Sequence, residues 1–447
     1  MGGPVDPDGE LRALASDCVH CGFCLPACPT YQLWGEEMDS PRGRIHLITQ
    51  ILDTGQGSAA AATHFDRCLG CMACVPACPS GVRYDRLIEA ARGWAEDEPG
   101  PGPHVLPPRS RRDRAMRAAI FAAFPYPRRL RALLGPLRAA QRTGLDRLAL
   151  RSSLLGRLAP EAVAALAVAP DGSGLRPAGA LPARVPARGP RRAVVGMLTG
   201  CVQSVFFPRV NEATARVLAA EGCDVVIPRG QGCCGALSGH SGRHAEAVSF
   251  ARRTIETFEA AGVDAIVVNA AGCGSAMKEY AELLADDPAW SARAAALSGK
   301  VRDFSEFLAG LGPAAPRSEL PLTVAYHDAC HLGHAQRITT QPRDLLRGIP
   351  GLSLAEIADA GTCCGSAGIY NLVQPEAAAE LGARKAGNVR AAGAELLVSA
   401  NPGCALQITR ALASDGAAVM PMAHVAEVLD TSIRGLPAAS LLAPRSV

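Results

Sequence analysis

The sequence predicts a multidomain α+β protein, in which a mainly helical N-terminal domain precedes two copies of an α/β domain. Two copies of one cysteine run stand in the first eighty residues, and other cysteine landmarks repeat themselves after residue 193. Short apolar runs alternate with helical stretches in that second half. The 447 residues are enough for about three domains, each with its own core.

Two segments rich in proline and glycine, residues that break helices and strands, mark the expected domain boundaries. EDEPGPGPHVLPPRSRR follows the first cysteine-rich region, and APDGSGLRPAGALPARVPARGPRR precedes the repeated half. We expect an N-terminal domain over 1–95 and an arginine-rich helical connector and linker over 96–192, with 170–192 as the linker part. Two cysteine-rich repeats then occupy 193–315 and 316–447.

The second half of the chain is a duplication marked by its cysteines. A single cysteine, a Cys-Cys-Gly triplet and a later cysteine recur at offsets of 129 to 131 residues. The two sets are Cys201, Cys233, Cys234 and Cys273, and Cys330, Cys363, Cys364 and Cys404. Apolar runs precede these landmarks at 193–198, 224–227 and 265–268, and at 322–326, 352–355 and 396–398. We expect mainly parallel strands there, with the cysteines at strand ends.

Cysteine usage indicates a cytoplasmic protein. The seventeen cysteines are clustered and form under 4% of the chain, too little for a disulfide scaffold. The sequence does not open with a basic flank and an apolar stretch, so we expect no secretory signal. In a reducing compartment these cysteines stay as thiols or bind metal.

Positive charge is concentrated in the connector. Eighteen arginines and no lysine accompany four acids between residues 101 and 192, although the net charge of the whole chain is only +3. RSRRDRAMR and PRRLRALLGPLRAAQR mix arginine with leucine and alanine, as peripheral membrane helices do. A solvated, arginine-biased linker is the alternative. Nucleic acid is not an expected partner, and no apolar run is long enough to span a bilayer, so membrane contact is expected only at the inner face.

The N-terminal cysteines follow the bacterial two-cluster ferredoxin pattern. The run Cys-x2-Cys-x2-Cys-x3-Cys-Pro begins at Cys18 and again at Cys68. Three thiolates of a run bind one [4Fe-4S] cluster and the fourth binds the other. The expected ligand sets are Cys18, Cys21, Cys24 and Cys78, and Cys68, Cys71, Cys74 and Cys28. Zinc is the alternative, but zinc ligands come in well-separated pairs.

Crossed ligation of this kind holds two clusters close together, and close clusters pass electrons. Glycines in the loops leave room for backbone amides to approach the sulfurs, which tunes the reduction potential. Arg42 and Arg44, between the two runs, either contact the negative charge of the clusters, contact a partner, or are solvated.

A family resemblance rests on longer stretches. CVHCGFCLPACPTYQLWGEEMDSPRGRIHLITQIL and RCLGCMACVPACPSGVRY are followed by GCCGALSGH, AAGCGSAMKEY, TCCGSAGIY and ANPGCALQ. Together they resemble the iron-sulfur subunit of bacterial glycolate oxidase, also called glycolate dehydrogenase. The resemblance extends from about residue 10 to about residue 430 and is weakest in the connector.

This resemblance implies an electron-transfer subunit of a glycolate-oxidising complex, with no catalytic residue of its own. A flavin-binding catalytic subunit would oxidise glycolate to glyoxylate, beside a second flavin-domain subunit. Electrons would pass through the clusters to a quinone or other membrane acceptor. The alternatives are the equivalent subunit for L-lactate or glycerol 3-phosphate, a heterodisulfide-reductase-like catalytic subunit, and an iron-sulfur scaffold or storage protein.

The Cys-Cys-Gly sets leave three states open: a further iron-sulfur cluster, zinc, or no metal. Adjacent cysteines face one centre only if the backbone bends, and Gly235 and Gly365 permit the positive φ that this bend needs. The related domains of heterodisulfide reductases carry a fifth cysteine where this sequence has Ala270 and Asn401. A cluster that needs five thiolates is therefore not favoured.

Other residues near these cysteines have more than one interpretation. His327, His331 and His334 lie around Cys330, where they assist a zinc site, exchange protons with a quinone, or are only hydrogen-bonded. Cys223 lies outside the repeat and is expected to be a buried apolar residue. Gly230, Gly232 and Gly235 spell G-x-G-x-x-G, but two of the positions between them are cysteines and the second repeat lacks the first two glycines. We therefore expect neither flavin nor nicotinamide on this chain.

Overall fold

The computed structural model describes Asp6, residues 9–96, 105–158, 181–414 and 420–443, and the single residues 163, 166 and 169. Within these ranges the chain forms a helical N-terminal domain, a helical connector and two α/β repeats. The predicted α+β fold class is confirmed.

Helices flank the two cysteine runs of the N-terminal domain. They are α1 (Glu10–Ser16), α2 (Pro29–Trp34), α3 (Pro41–Thr54), α4 (Ala59–Asp66) and α5 (Tyr84–Ala95). The hydroxyls of Ser40 and Ser58 accept hydrogen bonds from backbone N–H groups in the first turns of α3 and α4. Ile48, Phe65 and Leu87 are fully buried, so α3, α4 and α5 share one small core.

The connector is helical where it is described, as its patterning predicts. Its helices are α6 (Arg111–Ala123), α7 (Pro127–Thr143), α8 (Leu145–Arg151) and α9 (Ser153–Leu158). Arg117 of α6 is buried, with guanidinium nitrogens 3.0 Å from Glu96 and 3.4 Å from Asp66. These ion pairs attach α6 to the N-terminal domain.

The connector also contacts both repeats. Phe121 of α6 packs in one apolar cluster with Leu372 of the second repeat. Leu134 of α7 packs with Val205 of the first repeat. The connector therefore touches all three domains.

Each repeat is built on its own sheet. The strands are β1 (Arg184–Val185), β2 (Ala193–Met197), β3 (Cys223–Val226), β4 (Ala265–Val268) and β5 (Val301–Asp303), then β6 (Leu322–His327), β7 (Leu352–Ala355), β8 (Leu396–Ser399) and β9 (Met422–Ala423). The first sheet has the order β1-β3-β2-β4-β5 and the second has β7-β6-β8-β9. Neighbours are parallel except at β1. Since β3-β2-β4-β5 and β7-β6-β8-β9 follow the same path, the predicted duplication is confirmed.

The six predicted apolar runs form β2, β3, β4, β6, β7 and β8. The edge strands β5 and β9 were not predicted, because two or three residues are too few to show a pattern. β1 lies inside 170–192, which was expected to be only linker; residues 170–180 of that stretch lie outside the described residues. Arg184 pairs with Val226 across an antiparallel ladder, so the linker supplies an edge strand that its proline-rich composition conceals.

Helices cover both sheets. Those of the first repeat are α10 (Val202–Phe206), α11 (Pro208–Ala220), α12 (Ala236–Gly239), α13 (His244–Glu259), α14 (Ala271–Lys278), α15 (Tyr280–Leu283), α16 (Ser291–Ser298) and α17 (Phe304–Leu311). The second has a π-helical turn (His331–Ala335), α18 (Thr340–Arg347), α19 (Tyr370–Val373), α20 (Pro375–Ala391), α21 (Pro402–Ala413), α22 (Val425–Ile433) and α23 (Ala439–Leu442).

One core joins the two repeats. Val195 of β2, Val324 of β6 and Leu429 of α22 are fully buried members of the same apolar cluster. Beside it, Nη2 of Arg216 in α11 lies 2.8 Å from Oδ2 of Asp430 in α22, and Nε lies 3.0 Å from Oδ1. The Asp430 side chain is 8% exposed. The repeats are therefore held together by apolar packing and by a shielded, bidentate ion pair.

Replacing Asp430 by asparagine keeps the shape of the side chain and removes its charge. Because Arg216 then lacks its carboxylate, we expect the free energy of unfolding to fall by about 1–3 kcal/mol, measured by denaturant titration. Glu212→Gln is the matched control, since Glu212 lies 3.8 Å from the same arginine but is 36% exposed; it should cost no more than about 0.5 kcal/mol. Equal costs for the two variants would contradict this account.

Candidate metal centres

The first cysteine run lines a small cavity at the surface of the N-terminal domain. The cysteines in its wall are Cys18, Cys21, Cys24, Cys74 and Cys78. Cys21 is exposed, while Cys18, Cys24 and Cys78 are half-buried. The four cysteines that the sequence assigned to one ligand set therefore lie together around this outer cavity, which solvent can reach.

A second, small inner cavity lies among buried residues. The cysteines in its wall are Cys28, Cys68, Cys71 and Cys74, all of them buried. The two cavities adjoin, because Pro41, Cys74 and Tyr84 line both. Each run thus sends its last cysteine into the wall of the cavity built by the other run, Cys28 in one direction and Cys78 in the other.

The two cysteine runs share a backbone conformation. His20 and Gly70, at the same position of the two runs, have φ of +54° and +63°. Gly22 and Met72, two residues later, have φ of +87° and +59°. Left-handed residues at these points curl each loop, so that its thiols converge on one cavity.

Positive charge surrounds both cavities. Arg42 lines the outer one, and Arg44, which is 1% exposed, lines the inner one. Arg92 donates a hydrogen bond to the carbonyl oxygen of Cys68. Burial raises the pKa of Cys68, but the charges of Arg44 and Arg92 outweigh it and hold the pKa below its usual value. The thiolate, which is the form that binds metal, is thereby favoured.

The cysteines of the first repeat converge at the carboxyl ends of its strands. Cys201 follows β2, Cys233 and Cys234 follow β3, and Cys273 lies in α14 after β4. The sulfurs of Cys201 and Cys233 are 3.6 Å apart, and Cys234 contacts both Cys233 and Cys273. Gly235 has φ of +86°, as the predicted bend requires.

The second repeat places its cysteines in the same way. Its members are Cys330 after β6, Cys363 and Cys364 after β7, and Cys404 in α21 after β8. Gly365 also has φ of +86°, and a Cβ atom there would lie 2.7 Å from the carbonyl oxygen of Ala378. Only glycine fits this bend, which confirms the role predicted for it.

The inner cavity adjoins the second repeat. Cys71 packs in one apolar cluster with Cys330 and Cys363. Burial and, after it, the nearby Cys330 sulfur raise the pKa of Cys71 well above its usual value. This proximity joins residues about 260 positions apart in the sequence, and spacing alone could not predict it.

The three histidines near Cys330 differ in their surroundings. Nε2 of His334 lies 2.8 Å from the carbonyl oxygen of Gly361, so His334 is hydrogen-bonded. Nδ1 of His331 lies 3.7 Å from the Cys330 sulfur. Both ring nitrogens of His327 are buried without a hydrogen-bond partner among the described residues, and burial lowers the pKa of His327 to about 3.

A cavity between α5 and the first repeat was not predicted. Its volume is about 310 Å³, and Glu89, Cys234, His240 and Glu279 lie in its wall. Burial raises the pKa of Glu279 to about 7. Burial lowers the pKa of His240, but the Glu89 carboxylate, 3.0 Å from Nδ1, outweighs this and raises it. Two separate parts of the chain form this site, so no local motif reveals it.

Cys223 lies in β3, fully buried in the shared core. Burial raises its pKa to about 11. The prediction that it is an apolar core residue is confirmed.

Three known family models match four parts of the chain. A 4Fe-4S dicluster domain matches residues 14–82, and a cysteine-rich domain matches residues 195–278 and 324–409. The linker region of the glycolate oxidase iron-sulfur subunit matches residues 112–168. These matches indicate iron-sulfur clusters and electron transfer.

Several relatives of known name resemble the chain. A probable glycolate oxidase iron-sulfur subunit of Bacillus subtilis is 40% identical over 94% of both chains. The glycolate oxidase iron-sulfur subunit of Escherichia coli is 35% identical over 91% of this chain and 92% of the relative. Lactate utilization protein A of Shouchella clausii is 33% identical over 53% of this chain and 98% of the relative.

The crystal structure of a hypothetical protein from Helicobacter pylori has a similar fold, with a TM-score of 0.50 at 9% identity over 99% of this chain and 78% of that one. This likeness concerns the fold alone. Two glycolate oxidase relatives, in contrast, match more than nine-tenths of this chain at 35% identity or above. The chain belongs to the family of glycolate oxidase iron-sulfur subunits.

Proposed function

We propose that this chain passes electrons through two [4Fe-4S] clusters in a glycolate-oxidising flavoenzyme complex. Glycolate becomes glyoxylate on a flavin-binding catalytic subunit, a second flavin-domain subunit completes the complex, and a quinone or other membrane acceptor takes the electrons. In this proposal the chain transfers electrons within the complex and holds no catalytic residue. The observation that supports the proposal is the pair of adjoining cysteine-lined cavities, one that contains the exposed Cys21 and one whose cysteines are all buried.

The proposed ligands are those that the cysteine pattern predicts, and the lining of the two cavities supports them. Those of the outer cluster are Cys18, Cys21, Cys24 and Cys78, and those of the inner cluster are Cys28, Cys68, Cys71 and Cys74. When bound, such clusters supply one-electron transfer. Cys74 lies in both cavity walls and keeps the path between the two sets short. Arg44, buried beside the inner set, offsets thiolate charge that would otherwise oppose binding.

The outer cavity faces the electron donor in this proposal. Val19 and Phe23, on the loop that carries Cys18, Cys21 and Cys24, are 67% and 65% exposed. Large apolar side chains that stay exposed beside a redox site are typical of a docking surface. We therefore place the flavin-binding subunit on the Val19 and Phe23 face.

Glycolate is preferred to the alternative substrates because of the extent of similarity. The named glycolate oxidase subunits match over more than nine-tenths of this chain, whereas the lactate utilization protein matches over 53%. Asn401 argues against a heterodisulfide-reductase-like activity, because it stands where those enzymes carry a fifth cysteine. Its side-chain amide donates a hydrogen bond to the Cys404 sulfur over 3.3 Å.

The connector is the proposed membrane-contacting element of a protein on the cytoplasmic side. Seven leucines there are 41% to 68% exposed: Leu133, Leu145, Leu148, Leu150, Leu154, Leu155 and Leu158. Exposed arginines accompany them, among them Arg142, Arg147, Arg151 and Arg157. Leucine and arginine on one helical surface suit the boundary of an anionic bilayer. Among the described residues, no helix has the length and apolar character to cross a membrane.

Cys78→Ser tests the ligand assignment, with Cys223→Ser as the matched control. In the purified native complex we expect about eight iron atoms per wild-type chain, about four in Cys78→Ser and no change in Cys223→Ser. Glycolate should bleach the cluster absorbance of the wild-type and Cys223→Ser complexes, while L-lactate and glycerol 3-phosphate should not. Bleaching by L-lactate alone would contradict the proposal that glycolate is the substrate. Full iron content in Cys78→Ser would contradict the proposal that Cys78 is a cluster ligand.

Phe23→Glu tests the docking face. A carboxylate in an apolar contact loses hydration, so we expect the flavin-binding subunit to dissociate at least about tenfold more readily. Gel filtration with flavin absorbance measures this loss. Leu158→Glu, at the distant end of the connector, should leave the complex intact. If Phe23→Glu retains its full flavin content, the docking face lies elsewhere.

Leu154→Glu combined with Leu155→Glu tests the membrane contact. We expect the wild-type complex to sediment with phosphatidylglycerol vesicles, less so at high salt, and the double variant to remain in the supernatant. Phe23→Glu serves as the control that keeps vesicle binding. Equal sedimentation of wild type and double variant would show that these leucines do not face the bilayer.

A further inference from the structure

His327 ends β6 with its imidazole 1% exposed. Neither Nδ1 nor Nε2 has a hydrogen-bond partner among the described residues. A buried polar group without a hydrogen-bond partner destabilises the folded protein. A group that bonds to the imidazole would remove this destabilisation.

Two sulfurs stand beside this ring. The ligand atoms of His327, Cys364 and Cys404 all lie within 4.8 Å of one another. Zn–S and Zn–N bonds are about 2.3 and 2.0 Å long, so the ligands of one tetrahedral ion lie about 4 Å apart. A cubane cluster spreads its ligands over separate irons, so three ligand atoms so close together fit a single ion better.

The charge of the surroundings also fits a thiolate-bound ion. Lys385 in α20 is 2% exposed, and its Nζ donates hydrogen bonds to the carbonyl oxygens of Asp359 and Ala360 over 2.8 and 3.1 Å. Its charge acts on Cys363, Cys364 and Cys404. A divalent ion with three thiolates carries one negative charge, which the buried lysine neutralises.

The first repeat has no counterpart of His327 or of Lys385. At the offsets of 129 and 130 residues that relate the two copies, Leu198 stands in place of His327, and Ile255 in place of Lys385. Leu198 and Ile255 are buried in the apolar core of the first repeat. Among the described residues, the four sulfurs of the first repeat do not form a group of three ligand atoms within 4.8 Å.

We propose that the second cysteine-rich repeat holds one zinc ion, bound by His327, Cys364 and Cys404 with Cys363 as the fourth ligand, and that the first repeat holds none. Cys363 contacts Cys364 but is not among the three residues whose ligand atoms lie within 4.8 Å of one another, so its side chain turns towards the ion in order to serve as the fourth ligand. The ion is redox-inert, and it fixes the Cys-Cys-Gly bend against the inner cavity. This site is independent of the proposed electron path.

Metal analysis of the full-length chain, purified anaerobically, tests the proposal. We expect about one zinc per wild-type chain in addition to the iron. His327→Leu, which copies the residue of the first repeat, should lose the zinc and keep the iron. Cys201→Ser, in the first repeat, should keep both. X-ray absorption at the zinc edge should show one nitrogen and three sulfur ligands in the wild type.

A second variant guards against a folding defect. His327→Cys supplies another zinc ligand, so it should keep the zinc, and the absorption spectrum should change to four sulfurs. Unchanged zinc in His327→Leu, loss of zinc in Cys201→Ser, or iron in place of zinc at the second repeat would each overturn the proposal. Since iron content and zinc content are counted separately, failure of this site is distinguishable from failure of the N-terminal clusters.

Discussion

The exchange of cysteines between the two N-terminal runs constrains the rest of the molecule. Cys28 lies in the cavity built by the second run and Cys78 in the cavity built by the first, so each cavity takes residues from both runs. A buried polar cluster lies between the two cysteine loops. Asp39, which has no exposed side-chain surface, pairs with Arg44, His64 and Arg67 and so anchors the segment between the runs.

Local patterns predicted much of this molecule. The cysteine spacing predicted two sulfur sets, and the constant offset predicted two sheets of one topology. A spacing motif records how one loop folds, and an apolar run records how one strand is buried, so both can be recognised without knowledge of the rest of the chain. Gly235 and Gly365 could be interpreted for the same reason, because a bend is a local property.

Contacts between distant segments could not be predicted in this way. The position of Cys71 beside Cys330, and the cavity that brings Glu89 to His240, depend on how the N-terminal domain packs against the repeats. The absence of a partner for His327 is also a property of its surroundings. His327, His331 and His334 all lie near Cys330 in the sequence, so sequence position did not distinguish His327 from the other two. Only the structure shows that their surroundings differ.

The contact between α5 and the first repeat has a mechanical consequence. A Cβ atom on Gly242 would lie 2.4 Å from the carbonyl carbon of Arg92, so the two backbones touch with no side chain between them. Arg92 also donates a hydrogen bond to the carbonyl oxygen of His240 over 2.6 Å. This close approach holds α5 of the N-terminal domain against the first repeat, and a side chain at position 242 would force the two backbones apart.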